Sequence, residues 1–196
     1  MYIGIMCGSY DTANLESRLS NSEVVSSLVK RDYTFVMGSG ETGSMRDAKE
    51  IIRENDSLLM IIGSKNELDR TKSSKTDIKI EVSSTFERLN EIYKNCDVII
   101  FLDGGIGTLS EFTSFLNNKI ETQTEKKRIK TDPSLILFNP NGLYNYLLKD
   151  MELRKASGLI DSNYKSFFAE ANNVDELLKL VDEATLTKDD ERSKLR

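Results

Sequence analysis

Apolar residues along this 196-residue chain fall into short continuous runs, separated by stretches in which they recur about once per helical turn. Tyr2-Ile3-Gly4-Ile5-Met6, residues 33–37, Leu58-Leu59-Met60-Ile61-Ile62, Val98-Ile99-Ile100-Phe101-Leu102 and Ser134-Leu135-Ile136-Leu137-Phe138 read as strands covered on both faces. Residues 78–82 alternate enough for a short strand, and 167–169 for an edge strand. The intervening patterns predict helices. Leu15, Leu19, Val24, Val25 and Leu28 mark the first, capped by Asp11 or Thr12, with room for a break over 19–22. Others are predicted over 44–53, 83–95, 108–118, 143–156 and 174–184. Residues 64–77 are polar and rich in Lys, Ser and Thr, which predicts a mobile loop and, after a strand, a lid. Residues 119–132 read as a charged connection in which Lys126-Lys127-Arg128 is a solvated loop face.

Strands alternating with helices predict a single doubly wound α/β domain over 1–184, followed by a charged, frayed tail over 185–196. Such sheets bind ligands outside the carboxyl ends of their strands. Cys7-Gly8-Ser9-Tyr10, the glycine loop 38–43, Gly63 and residues 103–108 all fall at that edge, so they are expected to share one site.

The last of these turns carries the most chemistry. Asp103-Gly104-Gly105-Ile106-Gly107-Thr108 follows the most apolar strand and opens into a helix. One tight turn needs one or two glycines; a third implies that something bulky approaches the backbone. Unpaired N–H groups and the positive end of the helix dipole make such a place an anion site, and a phosphate is expected there. Thr108-Leu109-Ser110-Glu111 is also a capping-box pattern, in which Glu111 would only satisfy backbone donors. Ser84-Thr85-Phe86-Glu87 is another, and makes Glu87 structural. Gly38-x-Gly40-x-x-Gly43 matches a dinucleotide fingerprint, but it follows the second strand, where the first is usual. Neither loop contains the Gly-Lys-Ser or Gly-Lys-Thr of a P-loop.

Composition removes several classes of function. There is no histidine, which excludes Ser-His-Asp and Cys-His catalysis and imidazole-based zinc sites. Acid–base chemistry must come from carboxylates, Lys, Tyr or Cys. Cys7 and Cys96 are expected to be buried, reduced thiols. A net charge of −5, from 27 basic and 32 acidic residues spread along the chain, argues against a nucleic-acid partner. No apolar run approaches the ~20 residues that span a bilayer, and the N-terminus enters a strand with no leader-like pattern, so no membrane partner and a cytoplasmic location are expected.

The two glycine loops, with Arg88, resemble the LOG-like family, the phosphoribohydrolases once described as lysine decarboxylases. Gly104-Gly105-Ile106-Gly107-Thr108-Leu109-Ser110-Glu111 fits that family's Gly-Gly-x-Gly-Thr-x-x-Glu signature in full. Phe35-Val36-Met37-Gly38-Ser39-Gly40 with Thr42-Gly43-Ser44-Met45 is similar to its earlier loop, Glu87-Arg88 to its upstream Glu-Arg-Lys, and Cys7-Gly8-Ser9 to the end of its first strand. The resemblance implies a Rossmann-like three-layer α/β/α fold with a mostly parallel sheet, commonly a homodimer, with neither cofactor nor metal. It implies hydrolysis of the N-glycosidic bond of a nucleoside 5′-monophosphate, with Arg88 and Glu111 as the catalytic pair. Gly8, Ser9, Gly38, Gly40, Gly43, Gly104, Gly105, Ile106, Gly107 and Thr108 would bind the nucleotide, the last four holding its phosphate.

Three positions depart from that pattern. Asp103 replaces the usual proline, Leu89 a lysine and Arg46 a glycine. A carboxylate ~4 Å from a phosphate is repelled by about 1 kcal/mol even in water. Asp103 must therefore turn away, pair with a cation or signal another ligand. The departures keep a second reading open, a protein that binds or senses a nucleotide without cleaving it.

Overall fold

A computed structural model describes residues 1–124 and 132–193. The basic triplet Lys126-Lys127-Arg128 lies outside these residues. The strands are β1 (Tyr2–Met6), β2 (Thr34–Gly38), β3 (Leu58–Gly63), β4 (Asp77–Glu81), β5 (Val98–Phe101), β6 (Ser134–Phe138) and β7 (Ala169–Ala171). They form one parallel sheet in the order β4-β3-β2-β1-β5-β6-β7. The helices are α1 (Leu15–Leu28), α2 (Gly43–Glu54), α3 (Lys65–Arg70), α4 (Thr85–Asn95), α5 (Ile106–Thr124), α6 (Asn145–Ala156) and α7 (Val174–Ser193).

Successive strand residues point to opposite faces, and the two faces bury different helices. Ile3, Ile5, Val98 and Ile100 meet Val24, Val25 and Leu28 of α1, Ile52 of α2 and Leu177 and Val181 of α7. On the reverse side Met6, Ile99 and Phe101 meet Ile92 and Tyr93 of α4 and Phe112, Phe115 and Leu116 of α5. The fold is therefore a Rossmann-like α/β/α sandwich. Cys7 and Cys96 are buried free thiols, one on each face.

The chain order reverses at β1, whose neighbours are β2 and β5. This switch point leaves a crevice between the turns after β1 and β5. One buried side chain fixes its floor. Asn21 accepts the Asp103 N–H at 3.1 Å and returns its amide N–H to the Asp103 carbonyl at 2.9 Å and to Ser44 Oγ at 3.1 Å. The Gly8 N–H donates to the same carbonyl at 3.3 Å, and the Tyr144 hydroxyl donates to the Leu102 carbonyl.

Several expectations need correction. Residues 64–77 are not a loose lid: they contain α3, whose capping box joins Ser64 to Glu67. The segment is tied down by Arg53, which donates to Asp77 at 2.9 Å and to the Lys72 carbonyl at 2.8 Å, and by Lys79, which donates to the Leu68 carbonyl at 2.8 Å. Helix α1 is unbroken and is capped by Asn14, whose side chain accepts the Ser17 N–H at 2.8 Å. Leu15 and Leu19 face outward, 69% and 60% exposed, because Val24, Val25 and Leu28 define the face that meets the sheet. The last helix continues to Ser193, past the predicted end at 184. Among the described residues no helix is long and apolar enough to cross a membrane.

Replacing Asn21 with Ala strands the buried Asp103 N–H and is expected to cost about 2–3 kcal/mol in urea unfolding. Leu19→Ala, at an exposed position, should stay within about 0.5 kcal/mol of the wild type. Equal effects would contradict this division.

Candidate functional site

Three turns at the carboxyl edge interlock. Gly43 stands at φ +57°, a conformation natural to glycine, and a Cβ there would lie 2.8 Å from the backbone of Ser9 and Tyr10. The Met45 N–H donates to the Gly8 carbonyl at 3.1 Å, and the Thr42 hydroxyl to the Ser9 carbonyl at 2.6 Å. Beneath the second turn, the fully buried Lys49 donates to the Gly40 carbonyl at 2.7 Å and to Glu41 at 3.0 Å. Burial pulls the Lys49 ammonium below its usual range, against the pull of Glu41.

The third turn delivers α5. Gly104 is packed against Thr108, so closely that a Cβ would overlap the threonine hydroxyl. Gly107 instead faces open space. The helix begins at Ile106, and its first bond in the ladder runs from the Leu109 N–H to the Gly105 carbonyl at 3.1 Å. The N–H groups of residues 106–108 thus have no acceptor within the helix and stand at the positive end of its dipole. Because the helix starts two residues before Thr108, Thr108 is not its cap, and Glu111 is not the acid of a capping box. It reaches into the crevice instead.

That crevice is a cavity of about 270 Å³. It brings together Gly8, Ser9, Gly38, Gly40, Gly105, Gly107, Thr108, Arg88 and Glu111 from the sequence-derived set. The remaining members lie elsewhere. Gly43 and Gly104 support the turns from behind, and Ile106 points outward, 79% exposed. Ser39 and Met45 line it from the second glycine loop that the sequence singled out, whereas sequence reasoning missed Glu67 as a lining residue, and Asn21 and Lys49 as supports. Only Glu67 left a sequence signal, its Ser64-x-x-Glu67 capping pattern.

Each departure from the family pattern has a structural place. Asp103 is buried behind the turn and does not line the cavity. One carboxylate oxygen accepts from Ser17 at 2.8 Å and from Asn141 at 3.4 Å, while Oδ1 is buried without a hydrogen-bond partner. Arg46 pairs with Asp11 at 3.0 Å, and Asp11 also accepts the Gly43 N–H at 3.0 Å, so it braces the second turn in place of capping α1. Leu89 packs on the hydrophobic core. Glu87 accepts the Ser83 N–H at 2.6 Å, a structural role at the start of α4.

Burial raises the Glu111 carboxyl from the usual 4.5 to about 7, against the opposing pull of Arg88. A carboxyl poised near neutrality can give or take a proton. Burial, reinforced by Glu111, pushes the neighbouring Cys7 thiol up to about 12, so it is no nucleophile at neutral pH. Arg88 lies 3.7 Å from Glu67, whose carboxyl is held below its usual range first by the Ser64 N–H and further by Arg88. Among the described residues no three Cys, Asp or Glu side chains are grouped to hold a metal.

A Rossmann-like sheet with a glycine turn and a helix N-terminus at its switch point, and with no P-loop, has the features of an anion-type site. The model of the SLOG cluster4 family matches residues 1–129, and the chain belongs to this LOG-like family. It is 25% identical over 180 residues to the probable cytokinin riboside 5′-monophosphate phosphoribohydrolase LOGL9 of Oryza sativa subsp. japonica, covering 91% of this chain and 76% of that one. It is 26% identical over 179 residues to the cytokinin riboside 5′-monophosphate phosphoribohydrolase LOG5 of Arabidopsis thaliana, covering 91% and 75%. Among solved structures, the molybdenum cofactor binding protein of Rippkaea orientalis shares the fold, with a TM-score of 0.68 at 20% identity over 93% of this chain and 95% of that one.

The Glu111 environment predicts a pH signature. A carboxyl whose folded pKa is raised favours the folded state fully below about 4.5 and loses that contribution as pH rises through about 7. Glu111→Gln removes the loss. In urea unfolding the variant should match the wild type near pH 4.5 and exceed it by about 3 kcal/mol near pH 8. A difference that does not change with pH would contradict the assignment.

Proposed function

We propose that this chain hydrolyses the N-glycosidic bond of a nucleoside 5′-monophosphate, releasing the free base and ribose 5-phosphate. The observation that carries this reading is the convergence of Glu111, Arg88 and the first N–H groups of α5 on one cavity. A 5′-phosphate seated on those N–H groups receives charge-assisted hydrogen bonds from the backbone. Glu111 stands five residues beyond Ile106, about 7.5 Å along the helix axis. This is the scale that separates a 5′-phosphate from the anomeric carbon.

The chemistry then follows from charge. As the C1′–N bond lengthens, its electron pair leaves with the base and positive charge builds on the ribose. An ionised Glu111 stabilises that charge and takes a proton from the attacking water, whose oxygen bonds to C1′. The departing base nitrogen takes up a proton, so one water is consumed for each bond broken. Arg88 keeps part of the Glu111 population ionised near neutrality and offers a planar fork to ribose or phosphate oxygens.

Binding without cleavage is the second reading. The observation favouring it is the pairing of Arg88 with Glu67 at 3.7 Å, which already engages the cation. The fold itself is shared with a cofactor-binding protein and does not select hydrolysis. Incubation with AMP, CMP, GMP, UMP and an N6-substituted AMP separates the two. Hydrolysis predicts free base and ribose 5-phosphate from at least one nucleotide, with release lowered at least about 100-fold in Glu111→Gln. Nucleotide-induced thermal stabilisation with no product from any of them would sink the hydrolase reading in favour of the second.

A further inference from the structure

Asp103 stands where the phosphate-type turn departs from the family pattern, and its charge has an uncommon setting. The residue is 4% exposed and does not line the cavity. Its side-chain partners among the described residues are neutral. Ser17 donates to Oδ2 at 2.8 Å and Asn141 at 3.4 Å, while the buried Oδ1 has no partner. The carboxylate is thus held behind the turn with neither a cation in contact nor free access of water to Oδ1.

A charge placed in this way acts beyond its contacts. Three residues of extended chain reach at most about 11 Å, and the packing of Gly104 on Thr108 folds the segment from 103 to 108 inside that limit. The carboxylate therefore lies on the order of 10 Å from a phosphate seated on the first N–H groups of α5. Two unit charges ~10 Å apart, at an effective permittivity of about 20, repel strongly enough to change an affinity about tenfold. Salt screens a buried charge only weakly. The Tyr144 phenol registers the same field: burial first, and then Asp103, push it above its usual range, although its hydroxyl donates to the Leu102 carbonyl. At Glu111 the charge that opposes burial is that of Arg88. Asp103 thus bears on the anion end of the cavity.

We infer that Asp103 sets how tightly the α5 turn holds a phosphate, its buried and unpaired carboxylate weakening the grip of the N–H groups of residues 106–108 without touching the ligand. The inference rests on the placement of the phosphate in the hydrolase reading. It gives Asp103 a part in turnover. Substrate and ribose 5-phosphate carry the same phosphate, so a grip loosened for one is loosened for the other, and the product can leave. The proline usual at this position brings no such charge.

Asp103→Asn keeps the shape of the side chain and an acceptor for Ser17 while removing the charge. In calorimetric titration with ribose 5-phosphate, the variant should show a Kd at least about fivefold lower than the wild type, with most of the gain kept in about 0.5 M KCl. Inhibition of base release by ribose 5-phosphate should strengthen in parallel. A merely structural role would loosen the turn and weaken binding; removal of a repelling charge tightens it. An unchanged or higher Kd overturns the inference, and so does absence of binding by both proteins. Failure of the hydrolase reading looks different: the variant still tightens on ribose 5-phosphate, while neither protein releases base from any nucleoside monophosphate. Should Asp103→Asn not fold, the exposed substitution Asn141→Lys, which sets a cation against Oδ2, is expected to lower the Kd in the same direction, and an unchanged Kd there overturns the inference.

Discussion

The site depends on how the backbone of one residue is held. The turn after β5 must present the N-terminus of α5 to the crevice, yet the backbone N–H and carbonyl of Asp103, where the turn begins, are buried and cannot be hydrated. Asn21 pairs with both the N–H and the carbonyl of Asp103, one from each of the two peptide groups that flank its Cα, and ties them to Ser44 at the start of α2. A single amide therefore sets the relative position of α1, α2 and the phosphate-type turn. Buried polar groups carry such weight because leaving any one of them unpaired costs more than the pair contributes.

The same geometry resolves the charge problem at Asp103. Its backbone belongs to the turn, while its carboxylate is directed to Ser17 and Asn141 and stays out of the cavity. The cavity is left with one carboxyl raised by burial, one lowered by hydrogen bonds, and a guanidinium beside both. Glu111 and Glu67 are thus divided in role by environment. The first is poised to exchange protons near neutrality, and the second remains an acceptor.

Much of this was legible in the sequence because burial on both faces writes strands as unbroken apolar runs, from Tyr2 to Phe138. The glycine signature marked the one turn that needed both close packing, at Gly104, and open backbone, at Gly107. What was not legible depended on contacts between distant segments. Asn21 carries no periodic signal, since its value comes from a partner 82 residues away. Leucines at helical spacing marked α1 but not its inner face: Leu15 and Leu19 lie outward. Residues 64–77 looked mobile on composition alone, although Ser64-x-x-Glu67 had the pattern of a helix start. Thr108 and Glu111 had that pattern too, but the helix begins earlier, at Ile106.

The central claim is the placement of a nucleotide's phosphate on the first turn of α5 with its anomeric carbon at Glu111. A crystal structure of the protein with ribose 5-phosphate tests it most directly. The account predicts phosphate oxygens within hydrogen-bonding distance of the backbone N–H groups of residues 105–108, and C1 turned toward the Glu111 carboxylate. A phosphate bound away from those N–H groups, with the ribose turned away from Glu111, would contradict it.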